Sequence, residues 1–408
     1  MARRGSALAA IACVGVAAAF VIQGHGWNQW AHYALIRAFD DGTTRIDRDN
    51  KLTGDKVYFQ HHWYSARAPG LALASLPAYE ALKTTEVARH LQSRVGDRNN
   101  SELLWLLGIW AATLPAVALM LLVRWVAEQV EPGFGTLAAV TLGLGTMVLP
   151  FSTLLFSHVL ATCLGFAAFA LLFREHHGVA RRRPWPFALA GLLAGLAVIS
   201  EYPVFIVAVV LGVYALSSGD RVRRGLAYVA GFAAGLVPLA VYNDRAFGSI
   251  THLSYAEVPR QQSGLFGIQF PRPIAAVEVL LSERGLLTLS PVLVLGAIGA
   301  VLIYRRGWRW EAGVVAAVAV GVLVYDSGYF LPFGGSSPGA RFLIAMLPFL
   351  CFPLAATYRR WPGPTIALAT ASIVTLGIAT VTRPLLDEGS DVALWARHLL
   401  NGDILPTA

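Results

Sequence analysis

Long apolar stretches recur from near residue 7 to near residue 382, separated by short polar segments rich in arginine, glycine and proline. Segments such as 114–123 (LPAVALMLLV) and 314–324 (VVAAVAVGVLV) show no apolar–polar alternation, so they do not read as barrel strands. Stretches of roughly 18 or more apolar residues are long enough to cross a bilayer as helices. Backbone polar groups cannot stay unpaired in lipid, which leaves the helix as the viable conformation. The pattern predicts about eleven spans, near 7–24, 103–123, 133–151, 154–173, 186–200, 202–217, 225–242, 286–304, 311–326, 341–358 and 363–382. The expected fold is all-α and polytopic, one integral membrane domain over 1–408, with long connections at 25–102 and 243–285.

Composition excludes a water-soluble domain. The 408 residues are 56% hydrophobic and 14% charged, with a mean hydropathy of +0.57. A soluble domain carries about 25% charged residues. The net charge of +8 would suggest nucleic acid in a soluble protein. Here the excess lies in arginine clusters between spans, so it reads as topology and no nucleic-acid partner is expected. Arg3 and Arg4 precede the first span. Arg124, then Arg174 with Arg181, Arg182 and Arg183, then Arg221, Arg223 and Arg224 fall in every second connection. Arg305, Arg306 and Arg309, and finally Arg359 with Arg360, continue the series. The positive-inside rule then places the N-terminus in the cytoplasm and both long connections outside, in a bacterial plasma membrane. The first apolar run also has the form of a signal peptide, but it is long for a signal core and is read as a retained span. Cys13, Cys163 and Cys351 lie inside spans and carry no metal or disulfide spacing.

The first long connection carries the candidate chemistry. Interfacial helices are expected over Asn28–Phe39 and from about Pro69 to Leu91, and Trp27, Trp30, Tyr33, Trp63 and Tyr64 suit a membrane interface. Between them lie Asp40, Asp41, Asp47, Asp49 and Asp55, and then Tyr64-Ser65-Ala66-Arg67-Ala68-Pro69-Gly70. Further along stand Phe156-Ser157-His158, Glu201-Tyr202-Pro203, Tyr242-Asn243, Tyr255, and Gly334-Gly335-Ser336-Ser337-Pro338-Gly339-Ala340-Arg341. All fall on the non-cytoplasmic side of the predicted topology.

This layout resembles the GT-C superfamily of lipid-linked-sugar glycosyltransferases, which includes protein O-mannosyltransferases and aminoarabinose transferases. Within it, the chain is similar to bacterial family-39-like membrane proteins. The matching patterns here are Gly42-Thr43 with Ile46-Asp47, Thr53-Gly54-Asp55 and the Tyr64–Gly70 stretch. The resemblance implies transfer of a sugar from a polyprenyl-phosphate donor to a glycan, lipid or protein acceptor, with inversion, and no resident cofactor. A divalent metal is compatible with the family, but no His-x-x-x-His or Asp-x-Asp spacing marks a site here. One departure is plain. The family places an acidic residue soon after the first span, where this chain has Asn28 and Gln29. The resemblance therefore points to Asp55, then Asp47, as base.

The physical requirements point to the same residues. An acceptor hydroxyl attacking an anomeric carbon needs a positioned carboxylate to take its proton. The departing phosphate needs cationic partners, and arginine binds phosphate through a planar fork. Asp55, Asp47 and Glu201 are the candidate acids, and Arg67 and Arg341 the candidate phosphate ligands. Tyr64, His158, Tyr255 and Asn243 are expected to shape the donor site. Plainer readings stand beside these. Asp40, Asp41 and Asp49 fit a solvated surface, and Asp55 a turn. His61 and His62 fit the interface, His158 an interhelical hydrogen bond, and Arg341 a snorkelling role. Glu201 resists a plain reading, because an ionisable group at membrane depth is functional by default. A lipid or glycan transporter and a non-catalytic glycan-binding subunit remain alternatives. A transporter calls for repeats and midplane polar residues, which are not evident.

Overall fold

The computed structural model describes residues 2–85, 101–178, 184–217, 220–258, 264–382, 384–385 and 392–404. Most of each expected apolar span is helical there, though the first ends at Ala19 and the third is broken between Gly145 and Val148. In chain order the main helices are α1 (Ala2–Ala19), α2 (Trp27–Asp40), α3 (Gly70–Lys83), α4 (Glu102–Val130), α5 (Gly135–Gly145), α6 (Ser157–His177) and α7 (Trp185–Ser200). They continue as α8 (Phe205–Ala215), α9 (Arg221–Phe247), α10 (Pro273–Leu281), α11 (Val292–Arg305), α12 (Arg309–Gly328), α13 (Leu354–Arg360), α14 (Pro362–Val381) and α15 (Val392–Leu400). Among the described residues five helices are long and apolar enough to cross a membrane: α4, α6, α9, α12 and α14. The number rises to seven if each of two bent pairs is one span. The chain is a multi-pass membrane protein.

Two expected straight spans are bent. The stretch 286–304 breaks before α11, where Pro273–Leu289 and Val292–Arg305 meet at 88°. Pro291, which lacks a backbone N–H, stands at the break. The stretch 341–358 opens as a tight 3-10 segment, Arg341–Met346, and bends by 51° before α13 at Pro353. Arg341, the first residue of this segment, is buried.

Glycine sets the closest helix crossing. A Cβ added at Gly195 would lie 2.5 Å from the Phe232 carbonyl oxygen, and one at Gly235 would lie 2.6 Å from that of Leu192. Gly191 and Gly231 meet backbone carbonyls still more tightly. Side-chain-free positions four apart on α7 and α9 thus let the two backbones touch, a packing device suited to lipid, where apolar burial gives no drive. The core beside them is aromatic. Phe166, Phe169, Phe173, Phe349 and Phe352 are all fully buried, with Phe169 and Phe352 stacked at 5.7 Å.

The helices define two ends. At the arginine end, the buried Glu131 carboxylate pairs with Arg306 and Arg359, joining three connections. These arginines therefore fasten the bundle at this end. At the opposite end, the loop end, lie α2, α3 and a feature the all-α expectation did not contain. Lys56–Phe59 (β1) and His62–Ser65 (β2) form an antiparallel hairpin with Lys56 opposite Ser65. Gln60 (φ 45°) and His61 (φ 67°) make its two-residue turn in the left-handed region, the geometry that matches strand twist. The hairpin escapes a hydropathy reading because its strands are four residues each and mix aromatic with polar side chains. The second interfacial helix runs over Gly70–Lys83, with Thr84 at its C-cap. The expected extension to Leu91 lies outside the described residues.

Candidate functional site

Segments from many parts of the chain deliver polar side chains to one place at the loop end. Local structure first positions Asp55. Thr53 donates through Oγ1 to the Trp27 carbonyl at 2.7 Å and accepts from the Asp55 N–H at 3.0 Å, tying the turn to the start of α2. The Ala66 N–H donates to the Asp55 carbonyl at 3.0 Å, which sets Asp55 beside the end of β2. Arg67 then donates to the Asp55 carboxylate in an ion pair. On its other side Arg67 meets Asn28, whose amide, turned so that its oxygen faces the guanidinium, accepts from Nε at 3.2 Å and Nη1 at 3.3 Å. Asn28, standing where the resemblance expects an acid, is a neutral acceptor that orients the arginine.

Three residues on, Gly70 presses against the end of α7. An added Cβ there would lie 2.6 Å from the Ser200 backbone nitrogen. This contact brings Arg67 toward Glu201, the residue after Ser200. Glu201 is buried and accepts from Ser157 Oγ at 2.5 Å, while His158 Nε2 lies 3.8 Å from the same carboxylate. Neither ring nitrogen of the buried His158 has a hydrogen-bond partner among the described residues.

Arg341 enters from the bent segment. It is buried at 7% exposure, with its guanidinium over the rings of Phe156 at 5.9 Å and Phe342 at 5.5 Å. It forms no ion pair among the described residues, and its Nε is without a partner. Arg67, Asp55, Glu201 and Tyr255 all act on it electrostatically. In the glycine-rich run Gly334, at φ 73°, makes room for Arg341, whose side chain fills the space a Cβ would take. Arg284 fixes the run by donating to the Gly335 and Ser337 carbonyls at 3.0 and 2.5 Å.

The loop-side electrostatics follow from this geometry. Burial raises the Asp55 pKa, but the adjacent Arg67 charge and hydrogen bond outweigh it and hold the carboxyl below its ordinary value. Arg67 is correspondingly held charged. His32 of α2 is fully buried, and burial together with Arg67 lowers its imidazole to about 3, so it is neutral at physiological pH.

Of the residues singled out from sequence, Asp55, Arg67, Glu201, His158, Arg341 and Tyr255 meet here. Tyr255 packs edge-on against Tyr202 at 5.1 Å and lies in reach of Arg67 and Glu201. Asp47, Tyr64 and Asn243 do not join them. Asp47 accepts from the Trp63 N–H at 2.7 Å and pairs with His62 at 2.7 Å, clipping the hairpin from outside. Tyr64 faces Phe247 at 5.1 Å in an apolar cluster. Asn243 donates to the Ile250 carbonyl at 3.2 Å and holds the turn after α9. Two members were missed: His32, and Asp326 near the end of α12. Asp326 is fully buried, both its oxygens lack partners among the described residues, and Arg341 lies in electrostatic reach. An acid closing an apolar span was the available signal for it.

No family model matches the chain, and no curated protein matches it. Solved structures do. The apo oligosaccharyltransferase of Archaeoglobus fulgidus aligns with a TM-score of 0.55 at 12% identity, covering 92% of this chain and 54% of its own. Its complex with an inhibitory peptide and a dolichol-phosphate gives the same score and identity over 93% and 55%. ArnT from Cupriavidus metallidurans bound to undecaprenyl phosphate aligns at 0.53 with 14% identity over 96% of this chain and 68% of its own. The chain thus shares the membrane fold of these structures and spans about half the length of the oligosaccharyltransferase it resembles.

Proposed function

We propose that this protein is a membrane glycosyltransferase that moves a sugar from a polyprenyl-phosphate-linked donor to an acceptor at the loop end, on the outer face of a bacterial plasma membrane. One observation carries the reading. Arg341 is buried with no ion-pair partner among the described residues, close to the half-buried Arg67, in a chain with the fold of proteins solved with dolichol-phosphate and undecaprenyl phosphate. Asp55, Glu201 and Asp326 lie in electrostatic reach of Arg341 but none pairs with it directly; a buried charge without a close partner is costly, and a lipid phosphate would be that partner.

In the proposed reaction the donor phosphate lies between Arg67 and Arg341, with Tyr255 along its edge. The acceptor oxygen attacks the anomeric carbon from the opposite side. The bond from that carbon to the phosphate oxygen breaks, and its electron pair leaves with the phosphate, where the two arginines hold the growing charge. Asp55 takes the acceptor proton. In the resting site Arg67 makes Asp55 a weak base; a phosphate that draws the guanidinium away restores its basicity. Glu201, His158 and Ser157 form the inner wall. Asp47, outside this group, serves the hairpin. The reading requires no resident cofactor. Residues 25–102 and 243–285 belong to one membrane domain with the rest of the chain. The hexosyl or pentosyl identity and inversion belong to the same proposal.

The test is binding and transfer in one preparation. The detergent-purified chain is titrated with undecaprenyl phosphate, and membranes are assayed for sugar transfer from a polyprenyl-phosphate donor. Saturable binding abolished by Arg341→Ala, with donor consumption by the wild type, supports the proposal. No phosphate-dependent binding overturns it. Binding without consumption of any sugar donor moves the transporter reading ahead.

A further inference from the structure

At the arginine end, about 30 Å along α6 from His158, three donor side chains converge from two helices. α6 ends in His176 and His177, and Glu311 opens the first turn of α12. One donor atom from each lies within 4.8 Å of the others. We propose that His176, His177 and Glu311 bind a divalent transition-metal ion of the zinc class, separate from the site at the loop end.

The hydrogen bonds prepare the donors for this. Ser217 donates its own proton to the Tyr214 carbonyl at 2.7 Å, so it accepts from His176 Nδ1 at 3.0 Å. That places the His176 proton on Nδ1 and leaves the Nε2 lone pair bare, with no partner among the described residues. A metal-bound histidine has this arrangement, its second nitrogen donating to an outer partner. The Glu311 carboxylate is buried at 1% exposure and accepts from Tyr214 Oη at 2.6 Å. His177 Nε2 lies 2.8 Å from the same oxygen. Ligand atoms on a tetrahedral zinc ion sit about 3.3 Å apart, given bond lengths near 2.0–2.1 Å. The pair at 2.8 Å needs to open slightly, and the widest separation needs to close by roughly 1.5 Å, within a small side-chain rotation.

Packing holds the rings near that geometry. His176 stacks on Tyr214 at 5.4 Å, and Trp308 stacks on Phe173 at 5.6 Å while lying 4.7 Å from His177. Two imidazoles and one carboxylate select zinc, cobalt or nickel over magnesium or calcium. His177 is a third exposed, so solvent reaches the group and a water completes the fourth position. Arg224 acts on His176 from α9. A cation here therefore depends on the Glu311 charge. The plainer alternative is a closed hydrogen-bonded network, in which Glu311 is satisfied by His177 and Tyr214 alone.

The experiment uses the full chain, purified in detergent and stripped of metal, titrated with Zn2+ by calorimetry and with Co2+ by visible absorption. The proposal expects one ion per chain and a Co2+ ligand-field spectrum of tetrahedral type. His176→Ala and Glu311→Gln should each weaken Zn2+ binding by about 100-fold, and Tyr214→Phe by about 10-fold. Glu311→Gln keeps the hydrogen-bonding shape, so an unchanged melting profile without metal separates lost ligation from lost folding. Absence of stoichiometric binding by the wild type, or equal binding by the His176→Ala, Glu311→Gln double variant, overturns the site. Lipid-phosphate binding at the loop end is unaffected in either case, which keeps the two sites distinguishable.

Discussion

Arg67 donates to the Asp55 carboxylate from the far end of the hairpin strand, twelve residues on, while Asn28 accepts from the same guanidinium on its other side. The neutral Asn28 stands where the sequence resemblance expects an acid, and the carboxylate paired with Arg67 is that of Asp55 in the loop beyond it. One arginine holds the interfacial helix, the turn and the hairpin together.

Asp55→Asn retains shape and removes charge. Transfer should fall by roughly 10²–10⁴-fold, as for a lost general base, while undecaprenyl-phosphate binding is kept or strengthened because Arg67 is released. Wild-type transfer by this variant would remove Asp55 from the proposed chemistry.

Gly334→Ala introduces a side chain at positive φ and into the space of the Arg341 guanidinium stem. Lipid-phosphate affinity should drop by about 10-fold or more, with a backbone strain of about 1 kcal/mol or more. Gly335→Ala, also at positive φ but without that contact, should strain the loop and spare affinity. Equal losses of affinity in the two variants would show that Gly334 acts only through loop conformation.

The His32 imidazole is held at about 3, below its ordinary 6.5. Protonation therefore favours the unfolded chain. The stability due to the neutral ring is present above pH 6.5 and is lost as pH falls toward 3. His25, lowered to about 4 by burial, acts in the same sense. Melting of the detergent-purified chain should lose on the order of 1–3 kcal/mol over two pH units below 6.5. His32→Phe should flatten that slope without removing it, and an unchanged slope would rule out a buried neutral His32.

Glu131→Gln removes the charge that Arg306 and Arg359 share. Arg359 is 62% exposed, which screens its part, so the expected cost is about 1–2 kcal/mol. The drop should appear in thermal melting, with lipid-phosphate binding at the other end intact.

Cysteine labelling at positions 182 and 262 checks the sidedness on which the proposed location rests. The arginine distribution expects position 182 to react from the cytoplasmic side and position 262 from the other. Reaction of both from one side would refute that orientation.

Helical spans, and the gathering of Asp55, Arg67, Glu201, His158, Tyr255 and Arg341 at one end, were legible in the sequence. Span length, hydropathy and arginine spacing are local properties, and lipid leaves a long apolar segment little choice but the helix. The sidedness that arginine spacing predicts assigns each motif to an end of the bundle, because successive spans alternate direction. The tertiary structure alone decided the partners. Asp47 carries the same carboxylate as Asp55 in a similar pattern, yet it clips the hairpin from outside because β2 presents the Trp63 N–H to it. Tyr64 alternates away from Arg67 into the apolar cluster. Asn28 became an arginine's partner, Gly334 a space for Arg341, and Asp326 a buried acid in reach of Arg341. Each of these depends on contacts between residues far apart in the chain, set by packing of several helices at once, and no local period encodes them.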